Sequence, residues 1–132
     1  ELTGKKFSSL RTKKEKQRVF KSHVVIIETD REKLYKRINN RVDIMIKEGL
    51  EDEAFKLKDF KELNTLNTVG YKEFFNYFDD KITYTQAVEK IKQNTRNYAK
   101  RQITWLKKYT KPINVYNNQE IESIIIKLNQ VI

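Results

Sequence analysis

The chain has 132 residues, 38% hydrophobic and 35% charged, with seven Tyr and seven Phe, enough for one modest domain and too aromatic for wholesale disorder. A net charge of +10 and a pI near 9.7 point to a polyanionic partner, a nucleic acid or an anionic surface. Absent Cys and a single His23 exclude disulfide scaffolds, Cys-ligated zinc, thiol nucleophiles and His-based triads, and no apolar run is long enough to cross a membrane.

Residues 1–22 read as a basic arm or linker, since positions 1–21 hold eight basic side chains against two acidic ones. Such an arm either contacts nucleic acid or is simply solvated. His23–Glu28, HVVIIE, is a continuous apolar run, as expected for a strand buried on both faces of a parallel sheet. Thr29 with Glu32 fits a capping box, with Asp30 as a second possible N-cap, and a helix should run from Arg31 to Glu48 and stop at Gly49. On that helix Leu34, Ile38, Val42 and Met45 form an apolar face, and Arg41 projects from that same face, within about 40° of Leu34 and Met45. Arg cannot shed its charge, so Arg41 either pairs with an internal carboxylate or holds an anion such as a phosphate. Arg37, further round the helix, is a weaker candidate.

A short helix is expected near Glu51–Phe60, then a polar connector containing Asn64, Thr65 and Asn67. Gly70 should open the aromatic helix YKEFFNYF. Within NTVGYKE, Tyr71 could stack on an unpaired base and Lys72 could neutralise a phosphate, or the segment could be a turn with a packed aromatic. Thr83 and Gln86 form a second capping box, opening a long helix to Tyr109. Its apolar stripe includes Tyr84, Ala87, Val88, Ile91, Tyr98, Ala99, Leu106 and Tyr109, interrupted by Thr95 and Gln102 and flanked by Arg96, Lys100 and Lys107 on one side and Lys90, Arg101 and Lys108 on the other. Polar groups at core positions destabilise a fold unless bonded, so Thr95 and Gln102 are either satisfied internally or meet a ligand. After Pro112, a strand Ile113–Tyr116 and a helix Glu120–Val131 complete the chain. The expected fold is mainly α with two short strands. Because two strands rarely make a stable parallel sheet, residues 23–132 should be the C-terminal portion of a larger α/β domain. No GxxxxGK[ST] or GxGxxG is present.

The segments TGKKFSSLR at Thr3–Arg11, HVVIIE, KRINNR with Arg37 and Arg41, EGL at Glu48–Leu50, VGYKE, and TRNYAKRQITWLK at Thr95–Lys107 together resemble the tRNA dimethylallyltransferases, in the expected order. The resemblance implies a P-loop-like α/β parent that moves a dimethylallyl group from dimethylallyl diphosphate to the exocyclic amine of the adenosine 3′ of the anticodon, with Mg²⁺ assisting and the base flipped out. It implies that Arg41 sits against the diphosphate. It also implies that Asn67, Thr68, Val69, Gly70, Tyr71 and Lys72, with Arg96, Lys100, Arg101, Gln102 and Trp105, contact the tRNA anticodon stem-loop. The phosphate loop, the general-base Asp, the Mg²⁺ ligands and most of a helical insertion would lie before Glu1, so this chain alone should not catalyse the transfer. A cytoplasmic monomer without membrane attachment is expected. The alternative is a stand-alone basic helical RNA-binding module without chemistry.

Overall fold

The computed structural model describes residues 19–20, 22–116 and 120–130; the TGKKFSSLR segment lies outside them. The elements are β1 (Val25–Glu28), α1 (Arg31–Lys47), α2 (Leu50–Lys56), short 3₁₀ turns at Lys58–Phe60 and Asn64–Leu66, α3 (Tyr71–Phe78), α4 (Tyr84–Leu106), β2 (Ile113–Tyr116) and α5 (Ile121–Asn129). The described chain is thus mainly helical with two parallel strands, Val25 pairing with Ile113 and Glu28 with Tyr116. Among the described residues no helix is long and apolar enough to cross a membrane.

Local chemistry sets most boundaries. Asp30, and not Thr29, caps α1, its Oδ1 accepting from the amides of Glu32 at 3.0 Å and Lys33 at 3.1 Å. Gly49, at φ 101°, ends the helix in the left-handed region, where a side chain is strained. At the head of α4 both halves of the Thr83–Gln86 box are made, at 2.9 and 3.3 Å. The helix near Glu51–Phe60 breaks at Leu57 and tightens into a 3₁₀ turn.

The core joins α1, α2, α3 and the first half of α4 through Val42, Leu50, Ala54, Phe74, Phe75, Ala87 and Ile91. Aromatic edges lock α3 on α2 and on the start of α4. Phe55 meets Phe78 edge-on at 5.3 Å, and Tyr77 meets Tyr84 at 5.7 Å. The strand pair lies outside that cluster. Burial on both faces of β1 is not achieved among the described residues, because Ile27 is 67% exposed and Val25 is exposed beside it. Each described strand has a single neighbour, which leaves a face and an outer edge of β1 uncovered.

Candidate nucleic-acid interface and anion site

Helix α4 has two unlike halves. Up to Ile91 its inward residues are buried beneath α3, whereas beyond Asn94 the same helical row emerges as Tyr98, Arg101, Trp105 and Lys108. Tyr98 is 54% exposed and Trp105 is 52% exposed, so two residues at stripe spacing are presented to solvent. The Arg101 guanidinium lies 5.7 Å from the Tyr98 ring centre, and Trp105 meets Tyr109 edge-on at 5.4 Å. A shallow hollow is lined by Lys100, Arg101, Thr104, Trp105 and Lys108. Exposed cations interleaved with open aromatic faces can neutralise phosphates and stack on unpaired bases.

The Asn67–Lys72 turn sits at the edge of this row. Asn67, Thr68, Val69 and Lys72 are exposed, while Gly70 is buried at φ 108°. Gly70 has no side chain to cap α3, and Glu73 takes over. One carboxylate oxygen of Glu73 accepts from the Gly70 amide at 2.8 Å, and the other accepts from Asn94 Nδ2 at 2.7 Å. Because Glu73 lies beside Asn94 and Tyr77 beside Tyr84, α3 runs antiparallel to α4, with its N-terminus directed along the exposed half. Arg101 stands about 10 Å beyond Asn94 at 1.5 Å per residue. Tyr71 is committed inward: its hydroxyl donates to Glu53 at 2.6 Å, which raises its pKa above the ordinary value, and its ring stacks on Phe75.

The two polar interruptions of the stripe behave differently. Thr95 Oγ1 donates to its own helix at Ile91 O, 2.7 Å away. Gln102 is exposed, its side chain makes no hydrogen bond among the described residues, and it lines a cleft of about 490 Å³ with Ile26, Glu28, Leu34, Ile103 and Tyr109. Arg96 is half-buried and donates to Asn39 Oδ1 at 2.6 Å, which, with the Lys92–Asp43 pair at 2.8 Å, fastens α4 to α1. Its guanidinium is therefore shared with a structural contact. Arg41 is exposed on the edge of α1 that carries Leu34, about 10 Å further along the axis, and no carboxylate among the described residues pairs with it. It is available to an external anion. Among the described residues no group of three or more His, Cys, Asp or Glu assembles for a metal.

The structure thus brings the 67–72 turn and the Lys100–Arg101–Trp105 cluster to one side of α4, turns Gln102 towards the cleft, and leaves Arg96 bound to α1. Tyr98, Glu73 and Asn94 are additional residues of the site. Tyr98 has stripe spacing, which suggested a core position. The signal for Glu73 was its place three residues after Gly70, the capping position, while nothing local marked Asn94 as its partner.

Residues 1–109 match the family profile described as IPP transferase. The chain is 48% identical over 131 residues to tRNA dimethylallyltransferase 2 of Parabacteroides distasonis, covering 99% of this chain and 44% of that protein. It is 53% identical over 106 residues to tRNA dimethylallyltransferase of Christiangramia forsetii, covering 80% of this chain and 35% of that protein. Among solved structures, tRNA delta(2)-isopentenylpyrophosphate transferase of Staphylococcus epidermidis superposes with a TM-score of 0.74 at 32% identity, over 98% of this chain and 44% of that one. The full-length tRNA isopentenylpyrophosphate transferase of Bacillus halodurans gives 0.73 at 34% identity, over 83% and 37%. The chain therefore spans less than half the length of these relatives.

Proposed function

The chain belongs to the IPP transferase family, and from that membership we propose that it is the part of a tRNA dimethylallyltransferase that grips the anticodon stem-loop and holds the diphosphate of the prenyl donor. In the whole protein's reaction, the exocyclic amine of the adenosine 3′ of the anticodon attacks C1 of dimethylallyl diphosphate. The new N–C bond forms as the C–O bond breaks, the electron pair leaves with diphosphate, and the amine proton passes to a general base. Arg41 is assigned to the departing diphosphate, because a guanidinium with a two-pronged donor set matches that anion and stays charged throughout. Mg²⁺, when bound, would neutralise part of the same charge; the described residues offer no ligand cluster for it.

The exposed row of α4 carries the RNA half of the reading. Lys100, Arg101 and Lys72 meet phosphates, Trp105 offers a stacking face, and Gln102 supplies amide donors and an acceptor beside the cleft. Arg96, bonded to Asn39, and Tyr71, bonded to Glu53, act by holding these surfaces. Asn67, Thr68, Val69 and Gly70 bring the backbone of the turn to the RNA. In this reading residues 1–22 are a basic arm and residues 23–132 the C-terminal portion of a P-loop-like α/β core, whose sheet continues beyond β1. The enzyme acts as a cytoplasmic monomer.

The test uses the intact protein with dimethylallyl diphosphate and an anticodon stem-loop carrying adenosine at the target position, or guanosine in its place. The expected result is a mass gain of one dimethylallyl group on the adenosine substrate alone. Transfer to neither, with tight binding to both, would replace the enzyme reading with that of a binding module.

A further inference from the structure

Glu73 is 4% exposed, and among the described residues neither of its oxygens meets a cation. Taking a carboxylate out of water is costly, and a packed apolar side chain usually serves stability as well or better. Capping α3 needs one acceptor at most. The second oxygen instead reaches across 21 positions of sequence to Asn94, at the point where α4 passes from its packed half to its exposed half. The Asn94 bond therefore adds nothing to the cap itself. It fixes where the turn stands relative to the cationic row.

We propose that Glu73 is a positioning residue that, through Asn94, locks the Asn67–Lys72 turn to α4, so that the two RNA-facing surfaces meet a stem-loop as one rigid unit. This rests on the RNA reading above and extends it to the residues that set the geometry. Holding the turn before binding removes the ordering cost otherwise met on association. Lys72 then reaches its phosphate only while the clamp is closed.

A double-mutant cycle tests this. Asn94→Ala keeps the Gly70–Glu73 cap and favours the helix, yet removes the link between the elements. In the intact protein, Lys72→Ala should weaken stem-loop binding about three- to tenfold, in line with loss of one phosphate contact. In the Asn94→Ala background the same change should cost less than about twofold, because coupled residues are non-additive. Arg101→Ala should keep its full effect in both backgrounds. Glu73→Gln should retain near-normal binding and coupling, since its carbonyl can accept from Gly70 while its amide donates to a turned Asn94. Additive losses for Lys72 and Asn94, or no loss with Lys72→Ala, overturn the proposal. Should the unmodified protein bind a scrambled hairpin as tightly as the stem-loop, the RNA reading itself fails and the positioning role falls with it. The clamp keeps a readout of its own, because amide exchange at Gly70–Lys72 should quicken in Asn94→Ala without RNA, and unchanged exchange would show that the bond fixes nothing.

Discussion

Replacing Arg101 by Ala separates an RNA contact from a fold contact. Arg101 is exposed, and its guanidinium lies over the Tyr98 ring at 5.7 Å. An exposed cation–π contact contributes at most about 1 kcal/mol, so the melting temperature should fall by no more than about 4 °C. If the guanidinium neutralises one phosphate, the slope of log K against log salt should become shallower by about 0.7 to 0.9. Between 50 and 200 mM salt, that difference shrinks the parent's affinity advantage over the variant by about threefold. Fluorescence titration of a labelled anticodon stem-loop at four or five salt concentrations measures it directly. A slope identical to that of the parent, in a variant that melts normally, would remove Arg101 from the phosphate contacts and leave the basic row without its best member.

Further outcomes follow from individual contacts. Arg41→Ala in the intact protein should slow single-turnover transfer far more than it weakens tRNA binding, with unchanged melting, because no carboxylate among the described residues depends on it; equal losses in both would argue against the diphosphate. Phe74→Ala removes a side chain with 0% exposure that touches Phe78 and Tyr84, and should destabilise the chain by about 3 to 5 kcal/mol in denaturant titration; a loss under 1 kcal/mol would show that the α3–α4 seam is not packed as described. Asp79, hydrogen-bonded to Lys61 and Lys81, has its pKa lowered from 3.8 to about 2. A depressed carboxylate contributes stability that is complete above its unfolded value and disappears as pH falls through its folded value. The parent's advantage over Asp79→Asn should therefore hold above about pH 4, shrink as pH falls towards 2 and vanish below it; an advantage undiminished at pH 2 would contradict the ion-pair cause.

Sequence patterns located the elements well wherever the determinant was local. The Thr83–Gln86 box, Gly49 and Pro112 each marked a boundary within a residue or two. They failed where the determinant was distant. Thr29 and Asp30 both looked like caps, and the geometry at the strand exit chose Asp30. Tyr98 falls on the apolar stripe of α4 by spacing, yet α3 is too short to cover that half of the helix, so Tyr98 stands in solvent. Thr95 and Gln102 were indistinguishable by spacing; one bonds back to its own helix and the other looks into the cleft. The apolar run of β1 indicated burial that the described residues do not supply. Helical spacing put Arg41 on the apolar face of α1, but the packed face turns far enough that Arg41 is exposed, whereas the Glu73–Asn94 bond joins segments that no local pattern connects.

The parallel pairing of Val25 with Ile113 has a kinetic consequence. Four helices separate the two strands, and closing a loop of that size costs about 4 kcal/mol in chain entropy before any ladder bond forms. The antiparallel helical unit from α1 to α4 needs only short closures and can assemble first. The two strands would then zip together last, so a refolding experiment should see helical signal mature ahead of protection at the strand amides.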